Sequence, residues 1–539
     1  TRWATHGEPN MENSHPHLSN DGKIALVHNG IIENYGAIKS ILQSKGHVFL
    51  SETDTEALVH LISEYYEDCN DLEHAVQAAL QDITGTYGIA VMCSDEPDKL
   101  VVARKGSPLI IGVGADEYIV ASDAAAIIEH TASVIYLNDN EMAVISDAGL
   151  RTMTIDDVPV ATKIDTIEWS LEEIAKGGFE HFMLKEIFEQ PDVVRTCLGG
   201  RLDMREMAIR LGGLVDVDRE MVKTRKIILT ACGTAWHAGL VGEYLFEDLA
   251  KIPTEVEYAS EFRYRNPIVD EGTMVIAISQ SGETADTLAA LREAKQKGAM
   301  AMGIVNAVGS TIARETDAGV YLHAGPEIGV ASTKAFTCQI VVEAMMALML
   351  GRRKYMSQSR VATYMRALQA IPDQIAKVLE SSDYIKEVVA KHVDRDNWLF
   401  LGRGYNYPVA LEGALKLKEI SYIHAEGLPA AEMKHGPIAL ITDEMPVVCV
   451  ATRCDTYEKV VGNIEEVRAR KGRVIAVATE GNTELEKYCE DIIYVPDCPV
   501  PLQPLLTVIP LQLIAYHAAV LRGCNVDKPR NLAKSVTVE

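Results

Sequence analysis

The pattern of apolar and polar positions changes character partway along the chain. Between residues 23 and 155 short β-type runs dominate, and amphipathic segments interrupt them. Three helices are predicted there, each ending near Gly or Asn, at residues 34–45, 55–66 and 72–82. Strands and helices that segregate in this way indicate an α+β domain.

A different pattern follows residue 178. Residues 156–178 are charged, lack a regular period and end in two glycines, which predicts a linker and a boundary near 175. Residues 179–222 read as helical, and buried β runs then alternate with helices. These runs form two series, at 226–230, 274–279, 300–305 and 319–323, and at 398–402, 446–451, 473–478 and 491–495. The alternation indicates two doubly wound parallel sheets covered on both faces.

The two series also have the spacing of a duplication. Residues 233 and 261 are as far apart as 404 and 432, and 261 and 274 are as far apart as 432 and 445. The matched points occur in similar words, Ala-Ser-Glu-Phe-Arg-Tyr and Ala-Ala-Glu-Met-Lys-His. We therefore predict that one domain is a copy of the other.

Composition narrows the function classes. The 539 residues carry a formal net charge of −26, which argues against nucleic acid or an anionic membrane surface as a partner. The ten cysteines contain no C-x-x-C pair, so neither a zinc site nor a disulfide framework is indicated. The apolar run at 341–350 contains Glu343 and is shorter than a membrane span requires. These features favour a cytoplasmic enzyme that holds any anionic ligand locally.

The turn at residues 279–284, Ser-Gln-Ser-Gly-Glu-Thr, is the clearest candidate for such a ligand. It lies between a predicted strand and a predicted helix, where free N–H groups and the helix dipole favour an anion. An ordinary capped helix is the alternative. Three hydroxyl side chains together with Gln280 and Gly282 favour a phosphate site, and the turn at 232–234 is expected beside it.

The second series lacks such a turn, since its counterpart at 452–455 has no glycine and contains an acid. It carries instead Glu412, Lys416 and Glu419, whose spacing places them on one stripe of a helix. That stripe is either a solvated face or part of a cleft. His435 precedes Gly-Pro and is expected on a loop. Such groups suit an aldose–ketose interconversion, which needs ring opening and proton transfer between C1 and C2.

Six words of sequence, taken together, resemble one family. They are residues 1–7 (Thr-Arg-Trp-Ala-Thr-His-Gly), 28–34 (His-Asn-Gly-Ile-Ile-Glu-Asn), 51–56 (Ser-Glu-Thr-Asp-Thr-Glu), the turn 279–284, 411–419 and the tail 528–539. The chain is thus similar, along essentially its whole length, to the isomerising glutamine:fructose-6-phosphate amidotransferases, or glucosamine-6-phosphate synthases.

The resemblance implies a multidomain protein of α/β and α+β class. A partial glutaminase lobe of the N-terminal-nucleophile type (αββα), lacking its N-terminus, would occupy 1–160, and a linker with connecting helices 161–222. Two doubly wound sugar isomerase (SIS) domains would follow at 223–360 and 361–539. The implied reaction converts D-fructose 6-phosphate and L-glutamine to D-glucosamine 6-phosphate and L-glutamate, in a homodimer without cofactor or metal.

The resemblance also implies roles for individual residues. In the isomerase half Glu419 would move the proton, Lys416 would assist with Glu412 nearby, His435 of a second subunit would open the ring, and Lys534 would form a Schiff base. The sugar phosphate would be bound by Gly233, Thr234, Ser279, Gln280, Ser281, Thr284, Val330 and Ala533. In the glutaminase half Arg2, His6 and Asp54 would hold glutamine, Asn29 and Gly30 would form the oxyanion hole, and Trp3 would gate an ammonia channel.

Two positions depart from the family pattern. Ala235 stands where the family often has Ser, which removes one expected phosphate contact. The family's glutaminase nucleophile is an N-terminal Cys, whereas the first cysteine here is Cys69, and Thr1 belongs to an interior word of the family. We therefore expect an isomerase half without glutaminase activity. A non-enzymatic SIS-type sugar-phosphate sensor and an SIS sugar deaminase or isomerase are the alternatives.

Overall fold

The structure is a computed structural model that describes residues 6–167 and 175–537. The chain forms two compact units. The first consists of residues 1–175 with the short segments 283–285 and 535–539, and the second of residues 176–282 and 286–534.

The first unit has two antiparallel sheets and three helices. Its strands are β1 (His17–Leu18), β2 (Ile24–Ile32), β3 (Gly85–Cys93), β4 (Glu96–Lys105), β5 (Ile110–Val113), β6 (Tyr118–Ala121), β7 (Ser133–Tyr136), β8 (Glu141–Ser146), β9 (Gly149–Thr154) and β10 (Asp165–Thr166). Its helices are α1 (Tyr35–Lys45), α2 (Asp54–Cys69) and α3 (Leu72–Asp82). The sheets have the strand orders β1-β2-β3-β4-β8-β9 and β10-β7-β5-β6.

These elements form layers because successive strand residues point to opposite faces. In β4, Val101 packs in the cluster that contains the three helices, whereas Val102 packs against Ile111 and Ile135 of the second sheet. The outer face of the second sheet packs against the region of the 3-10 turn Ala124–Ala126. The αββα pattern has a layer of helices on this face, and in the described residues the 3-10 turn occupies it. The predicted α+β class of this domain is confirmed.

From residue 176 onward helices alternate with parallel strands. The helices are α4 (Phe182–Phe188), α5 (Gln190–Leu198), α6 (Asp218–Lys223), α7 (Gly233–Leu245), α8 (Ala259–Phe262), α9 (Ala285–Gln296), α10 (Thr311–Glu315), α11 (Lys334–Lys354), α12 (Gln358–Leu379), α13 (Ser382–Ala390), α14 (Asn406–Ser421), α15 (Tyr457–Arg468) and α16 (Pro504–Leu521). The strands are β11 (Leu202–Asp203), β12 (Ala208–Ile209), β13 (Lys226–Ala231), β14 (Thr254–Tyr258), β15 (Thr273–Ser279), β16 (Met300–Val305), β17 (Ala318–Tyr321), β18 (Asn397–Gly402), β19 (His424–Pro429), β20 (Pro446–Ala451), β21 (Arg473–Thr479) and β22 (Asp491–Val495).

Two five-stranded parallel sheets have the same strand order. The first is β14-β13-β15-β16-β17 and the second is β19-β18-β20-β21-β22. The strand β18 begins 171 residues after β13, in agreement with the spacing of the predicted repeat. Parallel pairing with helical crossovers confirms two doubly wound sheets. The prediction that residues 179–222 are helical holds for α4, α5 and α6, but β11 and β12 form a short antiparallel pair between them.

Two long apolar helices lie in the core of the second unit. The helices at Lys334–Lys354 and Val500–Leu521 are long and apolar enough to cross a membrane, but the most apolar window of each is 94% and 89% buried inside the structure. One apolar cluster contains both helices together with residues of both parallel sheets, such as Leu229 and Phe400. The run at 341–350, judged short from the sequence, is therefore the centre of a 21-residue core helix.

Candidate active site

The candidate phosphate turn lies at the carboxyl end of β15, where α9 begins. The Ser279 hydroxyl accepts a hydrogen bond from the Gly282 N–H at 3.0 Å. The carbonyl of Gln280 accepts from the N–H of Asn306 at 3.2 Å, which ties the turn to the segment after β16. A turn fixed in this way, ahead of a 12-residue helix, presents the geometry that binds anions at helix N-termini.

Gly282 is required at its position for two physical reasons. Its φ of +66° lies in the left-handed region that side chains disfavour. A Cβ atom added there would lie 2.0 Å from the Ser310 hydroxyl oxygen. The turn can therefore keep this shape only with glycine.

The turn after β13 leads directly into α7. Gly233, with φ +55°, is the first residue of that helix, and Thr234 is buried. The Thr234 hydroxyl donates to Glu412 Oε1 at 3.1 Å and accepts from Lys416 Nζ at 2.9 Å. Thr234 thus connects the first sheet domain to helix α14 of the second.

Helix α14 carries the predicted stripe of charged residues. Lys416 Nζ lies 2.5 Å from Glu419 Oε2 and 3.5 Å from Glu412 Oε1. The second oxygen of Glu412 lies 2.7 Å from Nδ1 of His237 on α7. Glu412 and Lys416 are buried, whereas the Glu419 side chain keeps 21% of its surface exposed. The stripe is therefore turned inward, and Glu419 is its accessible end.

Burial and ion pairing shift the pKa values of this cluster in opposite directions. Burial raises the pKa of Glu412, but Lys416, His237 and Thr234 lower it by more, so the net shift is downward. Burial lowers the pKa of Lys416, but Glu412 and Glu419 raise it by more, so its net shift is upward. Both groups are therefore charged, and the ion pair is held without bulk water.

The C-terminal tail places Lys534 in a second buried cluster. Its Nζ donates to Glu327 Oε2 at 2.6 Å and to the Gly329 carbonyl at 2.8 Å. Burial raises the pKa of Glu327, but Lys534 and the N–H groups of Thr333 and Ala335 lower it to about 2. The charge of Glu327 also contributes to the raised pKa of Lys416, so the two clusters interact electrostatically.

Three further predicted residues, Val330, Ala533 and His435, have individual positions in the second unit. The Val330 N–H donates to the Asp527 carbonyl at 3.1 Å, and Ala533 is half-buried directly before Lys534. His435 is exposed and ends the 3-10 turn Ala430–His435, rather than lying in the loop that was expected. Gly436, at φ +145°, ends this turn.

The predicted glutamine-site residues that the structure describes belong to the first unit. Gly30 lies in β2 with φ +136°, and a Cβ there would be 2.1 Å from the Thr86 carbonyl oxygen. Its neighbour Asn29 is exposed. Asp54, the first residue of α2, accepts from the Ile32 N–H at 2.8 Å and lies 3.7 Å from His6 Nδ1. Arg2 and Trp3 lie outside the described residues.

Sequence reasoning missed His237 and Glu327. His237 stands three residues after Thr234, so helical spacing could have placed it on the same face. Glu327 gives no such signal, because it lies in a loop far in sequence from Lys534. Only the folded chain brings these two residues together.

Comparison with known proteins identifies the families of both parts. The glutamine amidotransferase domain family matches residues 5–129, and the SIS domain family matches residues 220–349 and 393–522. A glutamine–fructose-6-phosphate aminotransferase (isomerizing) of Chlorobaculum tepidum is 60% identical over 541 residues, which are 100% of this chain and 88% of the relative. The chain belongs to the family of isomerising glutamine–fructose-6-phosphate aminotransferases.

Other members of this family and of its fold agree with that assignment. The aminotransferase of Bacteroides thetaiotaomicron is 53% identical over 543 residues, again all of this chain and 88% of the relative. The solved C-terminal domain of glucosamine-fructose-6-phosphate aminotransferase from Francisella tularensis is 39% identical, with a TM-score of 0.63 over 66% of this chain and 99% of that one. Tagatose-6-phosphate ketose/aldose isomerase of Escherichia coli shares the fold, with a TM-score of 0.55 over 66% of this chain and 97% of that one, at 20% identity.

Family membership corrects one expectation. The chain was expected to lack a working glutaminase half, but the glutamine amidotransferase family matches residues 5–129. The expectation is therefore not supported. The predicted enzyme class is confirmed, and the position of the first cysteine carries no argument about the activity.

Proposed function

We propose that this protein converts D-fructose 6-phosphate and L-glutamine to D-glucosamine 6-phosphate and L-glutamate. Full-length relatives at 50–60% identity carry the name of this reaction. The observation that supports it most directly is the Lys534 amine held against the buried Glu327 carboxylate at 2.6 Å. The same unit contains the Lys416–Glu419 pair on α14.

The first copy of the repeat binds the phosphate in this proposal. Ser279, Gln280, Ser281 and Thr284 supply donors ahead of α9, and Gly233 and Thr234 border the same edge of the sheet. Backbone amides and hydroxyls bind a phosphate without adding a cation, which suits a chain of net charge −26. Val330 and Ala533 would contact the sugar on the side of the tail.

The tail lysine attacks the sugar in the next step. After His435 of a second subunit has opened the ring, the Lys534 ammonium loses its proton to water. The free amine attacks the C2 carbonyl, a C–N bond forms, and the carbonyl oxygen leaves as water to give an imine. Ammonia then replaces Lys534 at C2, which releases the lysine as an amine.

Glu419 completes the isomerisation by carrying a proton between C1 and C2. It is the exposed end of the α14 stripe, and the ammonium of Lys416 lies 2.5 Å from it. Glu412, fully buried against Thr234 and His237, would fix Lys416 without touching the sugar.

The first unit supplies the ammonia. Asp54, His6 and Arg2 would hold glutamine, Asn29 and Gly30 would stabilise the oxyanion, and Trp3 would gate the passage of ammonia. We further propose a cytoplasmic location and a homodimer, in which the exposed His435 of one subunit acts on the sugar bound by the other.

The replacement Lys534→Arg tests this function. Arginine keeps the positive charge but cannot form an imine, so glucosamine 6-phosphate production should fall to background while fructose 6-phosphate still binds. Production is measured by chromatography and binding by calorimetry.

The matched control is Lys528→Arg, an exposed lysine of the same tail that should keep full activity. A Lys534→Arg protein that still makes product would contradict the proposal. An unchanged ligand response with no turnover in the parent protein would favour a sugar-phosphate sensor.

A further inference from the structure

Glu186 on α4 is a buried carboxyl group to which the proposed chemistry gives no role. Its Oε1 accepts hydrogen bonds from the N–H groups of Ile328 and, at 3.1 Å, Gly329. Its Oε2 is buried, and across the described residues it has no hydrogen-bond partner. A buried carboxyl with one unpaired oxygen is costly, so its retention requires a reason.

The segment that Glu186 holds is the one that receives Lys534. The N–H of Gly329 donates to Glu186, and the carbonyl of the same residue accepts from Lys534 Nζ. Glu327, two residues earlier, accepts from the same Nζ. Glu186 and Lys534 therefore both bind the segment 327–329. Glu186 accepts from its N–H groups, and Lys534 donates to a carbonyl and to the Glu327 side chain.

Packing brings Glu186 close to Gly329. A Cβ atom on Gly329 would lie 2.8 Å from Glu186 Oε2. The oxygen without a hydrogen-bond partner therefore faces the side of Gly329 on which a side chain would stand. Asp527 holds the N-terminus of α4 by accepting from the N–H groups of Phe182 and Met183.

We propose that Glu186 is a positioning residue for Lys534: by accepting from the Ile328 and Gly329 N–H groups, it holds in place the segment to which the Lys534 amine donates. This inference rests on the proposed function, because it concerns the lysine that would attack the sugar. It assigns the reaction a residue that touches neither the sugar nor Lys534.

Glu186 lies among other charged and titratable groups. They include His181, Lys185, Glu189, Glu327, Lys334, Asp527 and Lys534. Lys334 is paired with Glu189 at 2.9 Å, and Lys534 with Glu327 at 2.6 Å. Burial, and then the charge of Glu327, raise the pKa of Glu186 to about 7. Glu186 therefore gains a negative charge as the pH rises through neutrality.

The replacement Glu186→Gln is the conservative variant, because glutamine keeps an accepting oxygen for the Ile328 and Gly329 N–H groups. Imine formation is measured by trapping with cyanoborohydride in the presence of fructose 6-phosphate and by the mass of the peptide that contains Lys534. The ratio of trapping rates, Glu186→Gln over wild type, should be near one at pH 6 and at pH 8, because the segment that receives Lys534 keeps its acceptor. The exposed neighbour Glu180→Gln is the matched control, with a ratio near one throughout.

Glu186→Ala tests the positioning role separately. Without an acceptor for the Ile328 and Gly329 N–H groups, trapping should fall at least tenfold at every pH, while calorimetry still detects fructose 6-phosphate. A loss of trapping in Glu186→Gln as large as that in Glu186→Ala would overturn the inference, and so would wild-type trapping by Glu186→Ala. If Glu186→Ala does not fold, a tenfold loss of trapping in Glu186→Gln would overturn the inference by itself. Absence of trapping in wild-type protein would instead refute the role of Lys534, and the inference with it.

Discussion

At the scale of single residues, the charge state of Lys416 decides how the site can work. It is buried yet held as an ammonium by Glu412 and Glu419, which raise its pKa against the effect of burial. A lysine in this state is a proton donor and a source of positive charge, and it is not a base. In the proposed function the base is therefore Glu419, whose side chain keeps 21% of its surface exposed.

Glu56 in the first unit is a second residue whose charge is set by the fold. Burial raises its pKa, but His60 at 3.5 Å and the N–H groups of Leu50 and Ser51 lower it to about 2, from an ordinary value of 4.5. A lowered pKa in the folded state stabilises the fold above pH 4.5. That stabilisation, about 3 kcal/mol, is lost as the pH falls from 5 to 2.

We therefore predict that Glu56→Gln removes most of this acid dependence. Hydrogen exchange of peptides from α2 should speed up between pH 5 and pH 3 in wild-type protein, after correction for the intrinsic rate. In Glu56→Gln the same peptides should exchange faster already at pH 6 and change little on acidification. Glu67→Gln, an exposed acid on the same helix, is the control and should follow wild type. Parallel pH curves for Glu56→Gln and wild type would rule the explanation out.

At the scale of elements, what could be predicted depended on the strength of the local pattern. The buried strands β13, β15, β16 and β18 were found within one or two residues, because both of their faces are apolar. The edge strands β14 and β19 were missed. The sequence of β14, Thr-Glu-Val-Glu-Tyr, is half polar, and that of β19, His-Ala-Glu-Gly-Leu-Pro, contains Gly and Pro. An edge strand pairs with a neighbouring strand on one side only, so it tolerates such residues.

The candidate site was predictable where its residues share one element and not where they meet by folding. Glu412, Lys416 and Glu419 were found together because they are on one helix. The contacts of Glu412 with His237 and of Lys534 with Glu327 join segments 175 and 207 residues apart. No local spacing encodes such contacts.

The turn between β15 and α9 allows a prediction at this scale. Gly282→Ala should force a left-handed alanine, at a cost of about 1–2 kcal/mol, and a clash with Ser310 that distorts the turn. Affinity for fructose 6-phosphate, measured by calorimetry, should fall at least tenfold.

A glycine at the other end of α9 provides the control. Gly298 also has a positive φ, +83°, but a Cβ there meets nothing within 4 Å. Gly298→Ala should therefore lose a similar amount of stability and keep its affinity for the sugar phosphate. Equal affinity losses in both variants would mean that the shape of the turn does not matter for binding.

At the scale of the whole molecule, the proposed function gives different tasks to the two copies of the repeat. Both sheets have the same strand order, yet the candidate phosphate turn occurs in the first copy and the acid–base helix α14 in the second. The hydrogen bonds of Thr234 and His237 with Glu412 join the two copies at the site. Neither copy contains the complete set of groups.

This division predicts an unequal response to ligand. Fructose 6-phosphate should slow hydrogen exchange in the turn 279–284 and in the segment 327–335, because the phosphate and the sugar bind there in the proposed function. The corresponding turn of the second copy, 452–456, should exchange at the same rate with and without ligand, since it has Asp455 and no glycine. Inorganic phosphate alone should protect the first turn and leave 327–335 unchanged, which separates the phosphate contact from the sugar contact. Protection of both turns to a similar degree would show that the second copy has kept the binding function of the first, and the assignment of tasks would have to be abandoned.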